Sequence, residues 1–425
     1  MSNILVAWEF GENWGHLSRD VPVAVRLVAA GHNVLCAVAD TRVAASMLAT
    51  TRINFVQSPS PRRPARPPRP LANHAEIAMT GGYDDPDILR GLVGGWRGII
   101  ELFRPDALLI DYAPTALLAG RICGVPAVLA GSGFELPPPL SPLPSFRVWE
   151  TVSESRLLEA EQTALRHVNQ VLDECKAAPL QQFSDLFQGQ RRILTTFAEL
   201  DHFGARPTEE YVGPLFDLPR ARRVQWHPGG SGEKRIFAYL RPWMPRVEDL
   251  LIALQGSGAD VICTFPSAPP GLVQRYQSPR LRIFTQAVDL GPLLPTADLV
   301  IAYGSGTVAQ ALLAGIPLLL VPRWAEQYLS ALRVEALGAG LVVRGKGPPP
   351  SYPALLERLQ SDPQYRTAAR RFATQYAGFN AAESVSRLAS IIEGVARQSC
   401  FAEHRVDFSG TGPKSQANTG DSLTP

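Results

Sequence analysis

The residue types best suited to chemistry gather in "IAYGSGTVAQALLAGIP", Ile301–Pro317, where an apolar strand-like run meets a glycine turn and then a helical pattern. Gly304 and Gly306 let the backbone approach a ligand closely, and Thr307 is placed to cap the helix. The first amides of such a helix point outward unpaired, and its dipole adds partial positive charge, which suits a phosphate. Ser305 and Tyr303 add hydroxyls, yet Ala302-Tyr303 stand where a cation would be expected. Farther on, Glu326 and Gln327 follow the apolar run "LLLVP". An adjacent acid and amide can accept from and donate to vicinal hydroxyls, as on a sugar. A plain tight turn and an ordinary surface helix are the alternative readings of these two segments.

Such groups need a scaffold, and the chain supplies two series of alternating strand and helix patterns. The first comprises Ile4–Phe10, "NVLCAVAD", Pro105–Tyr112 and Val125–Gly131, with helical patterns between them. The second runs through "RIFAYL", "ADVICTF", "LRIFTQ", "ADLVIAYG" and "IPLLLVP". Strands separated by helices imply doubly wound parallel sheets. The expected division is a first domain over 1–203, a Pro-, Gly- and Arg-rich linker over 204–233, a second domain over 234–399 and a disordered tail over 400–425. The Pro/Arg-rich stretch Ser58–Asn73 reads as an inserted surface loop, with a polyproline ligand as the alternative. A ligand belongs between the C-terminal ends of the strands of two such domains.

Bulk composition narrows the class. The chain has 425 residues and a formal net charge of +2, which gives no reason to expect a nucleic-acid partner. Five scattered cysteines form no CxxC pair and no metal-ligand spacing, as expected of reduced thiols. The N-terminus lacks the pattern of a signal peptide, and no apolar run reaches the length of a membrane span. The expectation is a soluble cytoplasmic protein with no integral membrane association, no metal and no cofactor.

The segment from Asp298 to Val343 resembles the nucleotide-sugar signature of family 1 glycosyltransferases, in their macrolide and glucuronosyltransferase-like branch. The resemblance implies an α/β GT-B fold, with two Rossmann-like doubly wound domains facing across a cleft. It implies an inverting, metal-independent hexosyltransferase whose substrates are a UDP- or dTDP-linked sugar and a small-molecule or lipid-like acceptor. "GENWGHLSRDVP" aligns with the family's glycine-histidine loop, placing His16 as catalytic base and Asp111, ending "DALLID", as the carboxylate behind it. An imidazole near neutral pKa can take a proton from a hydroxyl nucleophile, and a fixed carboxylate steadies the cation that forms. The other histidines read as structural.

Departures from the family pattern define the remaining expectations. Ala302 takes the place of a histidine that contacts the donor phosphate, and Tyr303 that of a glycine. Arg241, after "RIFAYL", is the candidate replacement charge, with an exposed loop arginine as the alternative. Gln310 replaces the acid that meets the ribose, and Gln286 and Val288 lie in the loop that frames the base. Trp14, Tyr83 and Phe134 are candidate acceptor contacts, though each suits ordinary packing. A nucleotide-sugar epimerase and a non-catalytic scaffold for a partner transferase are the rival functions. A NAD-dependent dehydrogenase is set aside because "GENWGH" lacks GxGxxG spacing.

Overall fold

A computed structural model of the chain describes residues 1–11, 14–62, 67, 69–216, 222–228, 233–345 and 350–406, the side chains of 399–406 aside. The expectation for the tail beyond 406, and that for the centre of the Pro/Arg-rich loop, lie outside the described residues.

Short apolar runs become parallel strands here because they are buried on both faces. The first sheet contains β1 (Asn3–Trp8), β2 (Asn33–Val38), β3 (Asn54–Gln57), β4 (Ala107–Asp111), β5 (Ala127–Gly131), β6 (Arg191–Leu194) and β7 (Glu210–Tyr211), in the order β3-β2-β1-β4-β5-β6-β7. The second contains β8 (Arg235–Tyr239), β9 (Asp260–Thr264), β10 (Leu281–Phe284), β11 (Leu299–Ala302), β12 (Leu318–Leu320) and β13 (Gly340–Val342), ordered β10-β9-β8-β11-β12-β13. Both orders reverse direction at one point, between β1 and β4 and between β8 and β11. A crevice opens outside the strand C-termini at such a point.

Apolar side chains cover both faces of each sheet. The final helix, Ala381–Val406, crosses back to the first domain, where Val385, Leu388 and Ile392 join Ile4, Val6 and Leu17 in one core. It continues past residue 399, into the segment read from sequence as tail. The segment read as linker is also partly structured, since Glu210–Tyr211 extends the first sheet beside β6. A two-residue strand carries too little periodicity to show in sequence. No helix among the described residues is long and apolar enough to cross a membrane.

Candidate active site

At the first switch point, parallel register sets Trp8, at the end of β1, beside Asp111, at the end of β4. The chain leaves β1 through Gly11 and enters the helix Gly15–Ala29, which brings His16 back over Trp8. The two rings stack with centroids 5.1 Å apart and planes 19° from parallel. His16 Nδ1 lies 2.8 Å from Asp111 Oδ2. Donation to that carboxylate places the proton on Nδ1 and leaves the Nε2 lone pair as the basic site. Gly11 has a φ of +90°, and a Cβ there would run into Nε2, so both conformation and close approach require glycine.

One turn along the same helix, Arg19 donates from Nη2 to Asp111 Oδ1 at 2.8 Å and from Nη1 to Glu135 Oε1 at 2.9 Å. Glu135 also accepts from the backbone N–H and the hydroxyl of Ser132, each at 2.8 Å. Burial alone would raise the pKa of Asp111, but Arg19 and His16 outweigh it and hold the group below the usual range. Glu135 is likewise depressed against its burial by Arg19, His16 and His202. Asp20 moves the opposite way: burial, and then the negative Asp111, push its pKa well up. The ligating atoms of His16, Asp111 and Glu135 lie within 4.8 Å of one another, and the Arg19 guanidinium supplies the cation among them.

Ser132 carries the network onward. Its carbonyl oxygen lies 3.1 Å from His202 Nδ1, while His202 Nε2 lies 3.3 Å from Glu326 Oε1 in the second domain. A carbonyl and a carboxylate only accept, so both ring nitrogens must donate and His202 is an imidazolium. Burial opposes that charge, but Glu326 and then Glu135 and Asp201 overcome it and raise the pKa. His202 therefore joins Glu326 to the network that holds His16. By sequence His202 reads as structural, and nothing local there pairs it with a residue 124 positions away.

The second switch point is furnished differently. Ala302 is fully buried in β11, and the turn starts at Tyr303. Gly304 is the N-cap of the helix Ser305–Leu313, which has no side-chain cap. Thr307 therefore lies inside the first turn, two positions beyond the helix start, and is not the cap expected from sequence. Its amide and those of Ser305 and Gly306 belong to the unpaired N-terminal set. Gln310 turns its amide toward Gly306 O at 3.4 Å. From the end of β8, Arg241 donates through Nε to the Tyr303 hydroxyl at 2.8 Å. Arg241 is only 7% exposed, which overturns the surface-charge alternative. Tyr239 and Trp243 pack against Tyr303 with centroids 5.3 and 5.0 Å away.

Glu326 and Gln327 occupy the first turn of the helix Ala325–Ala336. Gln327 is buried and accepts the Arg323 N–H at 3.0 Å, closing its own loop, whereas Glu326 reaches across to His202. Gln286 is exposed; Val288 is buried and pairs its backbone with Arg222. Among the acceptor candidates, Trp14 is exposed at the entry to the His16 helix. Phe134 lies in an apolar cluster with Tyr112, Phe146 and Leu329, the last from the second domain. Tyr83 is corrected to the core: it is fully buried against Phe183, and its hydroxyl pairs with Thr115 at 3.1 Å.

Comparison with known proteins agrees with this architecture. Residues 250–390 match the family model described as erythromycin biosynthesis protein CIII-like, C-terminal domain. The chain is 25% identical over 370 residues to the L-demethylnoviosyl transferase of Streptomyces niveus, covering 85% of this chain and 91% of that protein. The fold is shared with the glycosyltransferase of kitacinnamycin, at a TM-score of 0.66 and 19% identity over 92% of this chain and 98% of that one. It is shared also with the glycosyltransferase VinC in complex with dTDP, at a TM-score of 0.63 and 17% identity over 93% and 100% of the respective chains.

Proposed function

We propose that this chain, a GT-B glycosyltransferase with an erythromycin biosynthesis protein CIII-like C-terminal domain, is inverting and metal-independent. It moves a sugar from a nucleoside-diphosphate sugar to a hydroxyl of a small-molecule or lipid-like natural product. The observation that carries this reading is the buried His16–Asp111 pair at the first switch point, with Nε2 of His16 left basic.

Each step follows from the groups present. Nε2 takes the proton of the acceptor hydroxyl while that oxygen attacks the anomeric carbon. The bond from that carbon to the diphosphate breaks on the opposite face, so one displacement inverts the configuration. Asp111 steadies the imidazolium. The leaving diphosphate meets positive charge from Arg241 and from the N-terminal amides of the helix Ser305–Leu313, with hydroxyls of Tyr303, Ser305 and Thr307 nearby in the chain. That charge takes the part a divalent cation would play. Glu326 addresses sugar hydroxyls with Gln327 beside it, Gln310 the ribose, and Gln286 and Val288 the base. Trp14 and Phe134 serve the acceptor. dTDP, the nucleotide held by VinC, is the first donor nucleotide to test, with UDP second.

The test is product analysis by proton NMR with a panel of dTDP- and UDP-sugars and natural-product acceptors in EDTA. A product of inverted anomeric configuration is expected; a retained configuration, or turnover that requires added divalent metal, contradicts the reading.

A further inference from the structure

We propose that Arg19 is a positioning residue that sets the protonation state of His16, with Glu135 as the anchor that holds the guanidinium in place. The consequence for catalysis rests on His16 being the base; the electrostatic assignment does not. Arg19 forks between two carboxylates, and its Nη2 also lies 3.1 Å from His16 Nδ1. Its side chain is 13% exposed, so its charge is little screened by water. A planar five-donor fork spans two carboxylates in a way the point charge of a lysine cannot.

The charges around His16 are countable. Its own helix brings Arg19 and Asp20, the latter pushed toward its neutral form by burial and by Asp111; β4 brings Asp111, and the loop after β5 brings Glu135. His202, reached from Glu135 through Ser132, brings a positive charge that its own partner Glu326 balances, so the pair leaves the count unchanged. Arg19 balances one of the two carboxylates, so the cluster has one uncompensated negative charge while His16 is neutral and none once it accepts a proton. Without Arg19 two negative charges would face the imidazole. They would hold it as imidazolium near neutral pH, where it cannot serve as a base. Without Glu135 the balance tips the other way, because Arg19 would then cancel Asp111 and leave nothing to favour the cation. The two substitutions should therefore shift His16 in opposite directions.

Selective ¹⁵N labelling of histidine tests this without any activity. The His16 resonance is identified by its absence in His16→Asn and followed through a pH titration in full-length protein. Arg19→Gln should raise the His16 pKa by about one unit or more, Arg19→Lys should raise it less, and Glu135→Gln should lower it. If the His16 pKa is unmoved in folded Arg19→Gln, or moves the same way in Arg19→Gln and Glu135→Gln, the proposal is overturned. Should Arg19→Gln fail to fold, Arg19→Lys and Glu135→Gln decide the sign. The acid limb of the kcat/KM profile is then measured in the same variants. A limb that follows the NMR values supports both assignments. A limb that stays fixed while the NMR values move supports the role of Arg19 and refutes His16 as the base.

Discussion

The two switch points occupy equivalent places in two sheets of the same strand order, and they are furnished in opposite ways. Between β1 and β4 the charged side chains of the described residues sit in a paired network: His16 with Asp111, and Arg19 with Asp111 and Glu135. Between β8 and β11 the cation is held by a neutral hydroxyl, Arg241 on Tyr303, and no carboxylate among the described residues pairs with it. The helix that follows has no side-chain cap. On the proposed function, a crevice whose groups are paired in advance suits proton transfer. One that presents unmatched positive charge is organised to receive an anion. The proposed function thus divides the labour between the two halves, and the His202–Glu326 contact joins them.

The comparison can be broken from either side. The largest effect belongs to His16→Ala, which should lower transfer by about 10³-fold while leaving donor affinity nearly unchanged. Single-turnover rates alongside donor calorimetry check this, and parallel loss of both in a folded variant would sink the division of labour. Gly11→Ala attacks the same half through the backbone. A φ of +90° costs a non-glycine residue about 1–3 kcal/mol, and the new Cβ displaces Nε2, so activity should fall with only a modest drop in melting temperature.

On the other side, Arg241→Ala removes the unmatched charge. Donor affinity should fall by about 10- to 100-fold, as expected for a charged hydrogen bond, with the acceptor KM unmoved. An unaltered donor affinity would leave the second crevice without its cation. Glu326→Gln should sharpen the picture with a smaller effect. Affinity for the nucleoside diphosphate alone should hold, while affinity for the nucleotide sugar falls several-fold, which titration of both ligands separates.

The smallest effect concerns stability. His74 is buried, and desolvation lowers its pKa to about 4, partly offset by its 2.7 Å bond to Phe134 O. The unfolded chain binds that proton more readily, so stability is complete above the ordinary value of 6.5 and is lost as pH falls from there toward 4. His74→Gln keeps a donor for Phe134 and should flatten that part of the melting profile.

How much of this was legible in sequence depended on distance along the chain. The strands of both series stand out because each is a short apolar run between turn signals, as in "ILVAW" and "LVIA". Sequence pattern does not mark β3, whose residues are mostly exposed, β6, half of which is arginine, or β7 and β13, which have two and three residues. The glycine turn is visible as a pattern, but its sequence points to Thr307 as the cap where the structure has Gly304, since glycine, serine and threonine all serve as N-caps. Arg19 to Glu135 and His202 to Glu326 span 116 and 124 residues, and no local pattern encodes such pairs. Tyr83 shows the reverse error, an aromatic in a glycine-rich loop that the fold turns into its core.

The most direct test of the account is calorimetric titration of dTDP and UDP into the wild-type chain and into Arg241→Ala, in EDTA. One nucleoside diphosphate is expected to bind the wild type without metal and to bind Arg241→Ala at least about tenfold more weakly. If neither nucleotide binds the folded wild type, or binding appears only when divalent metal is restored, the second crevice is not the anion site described here.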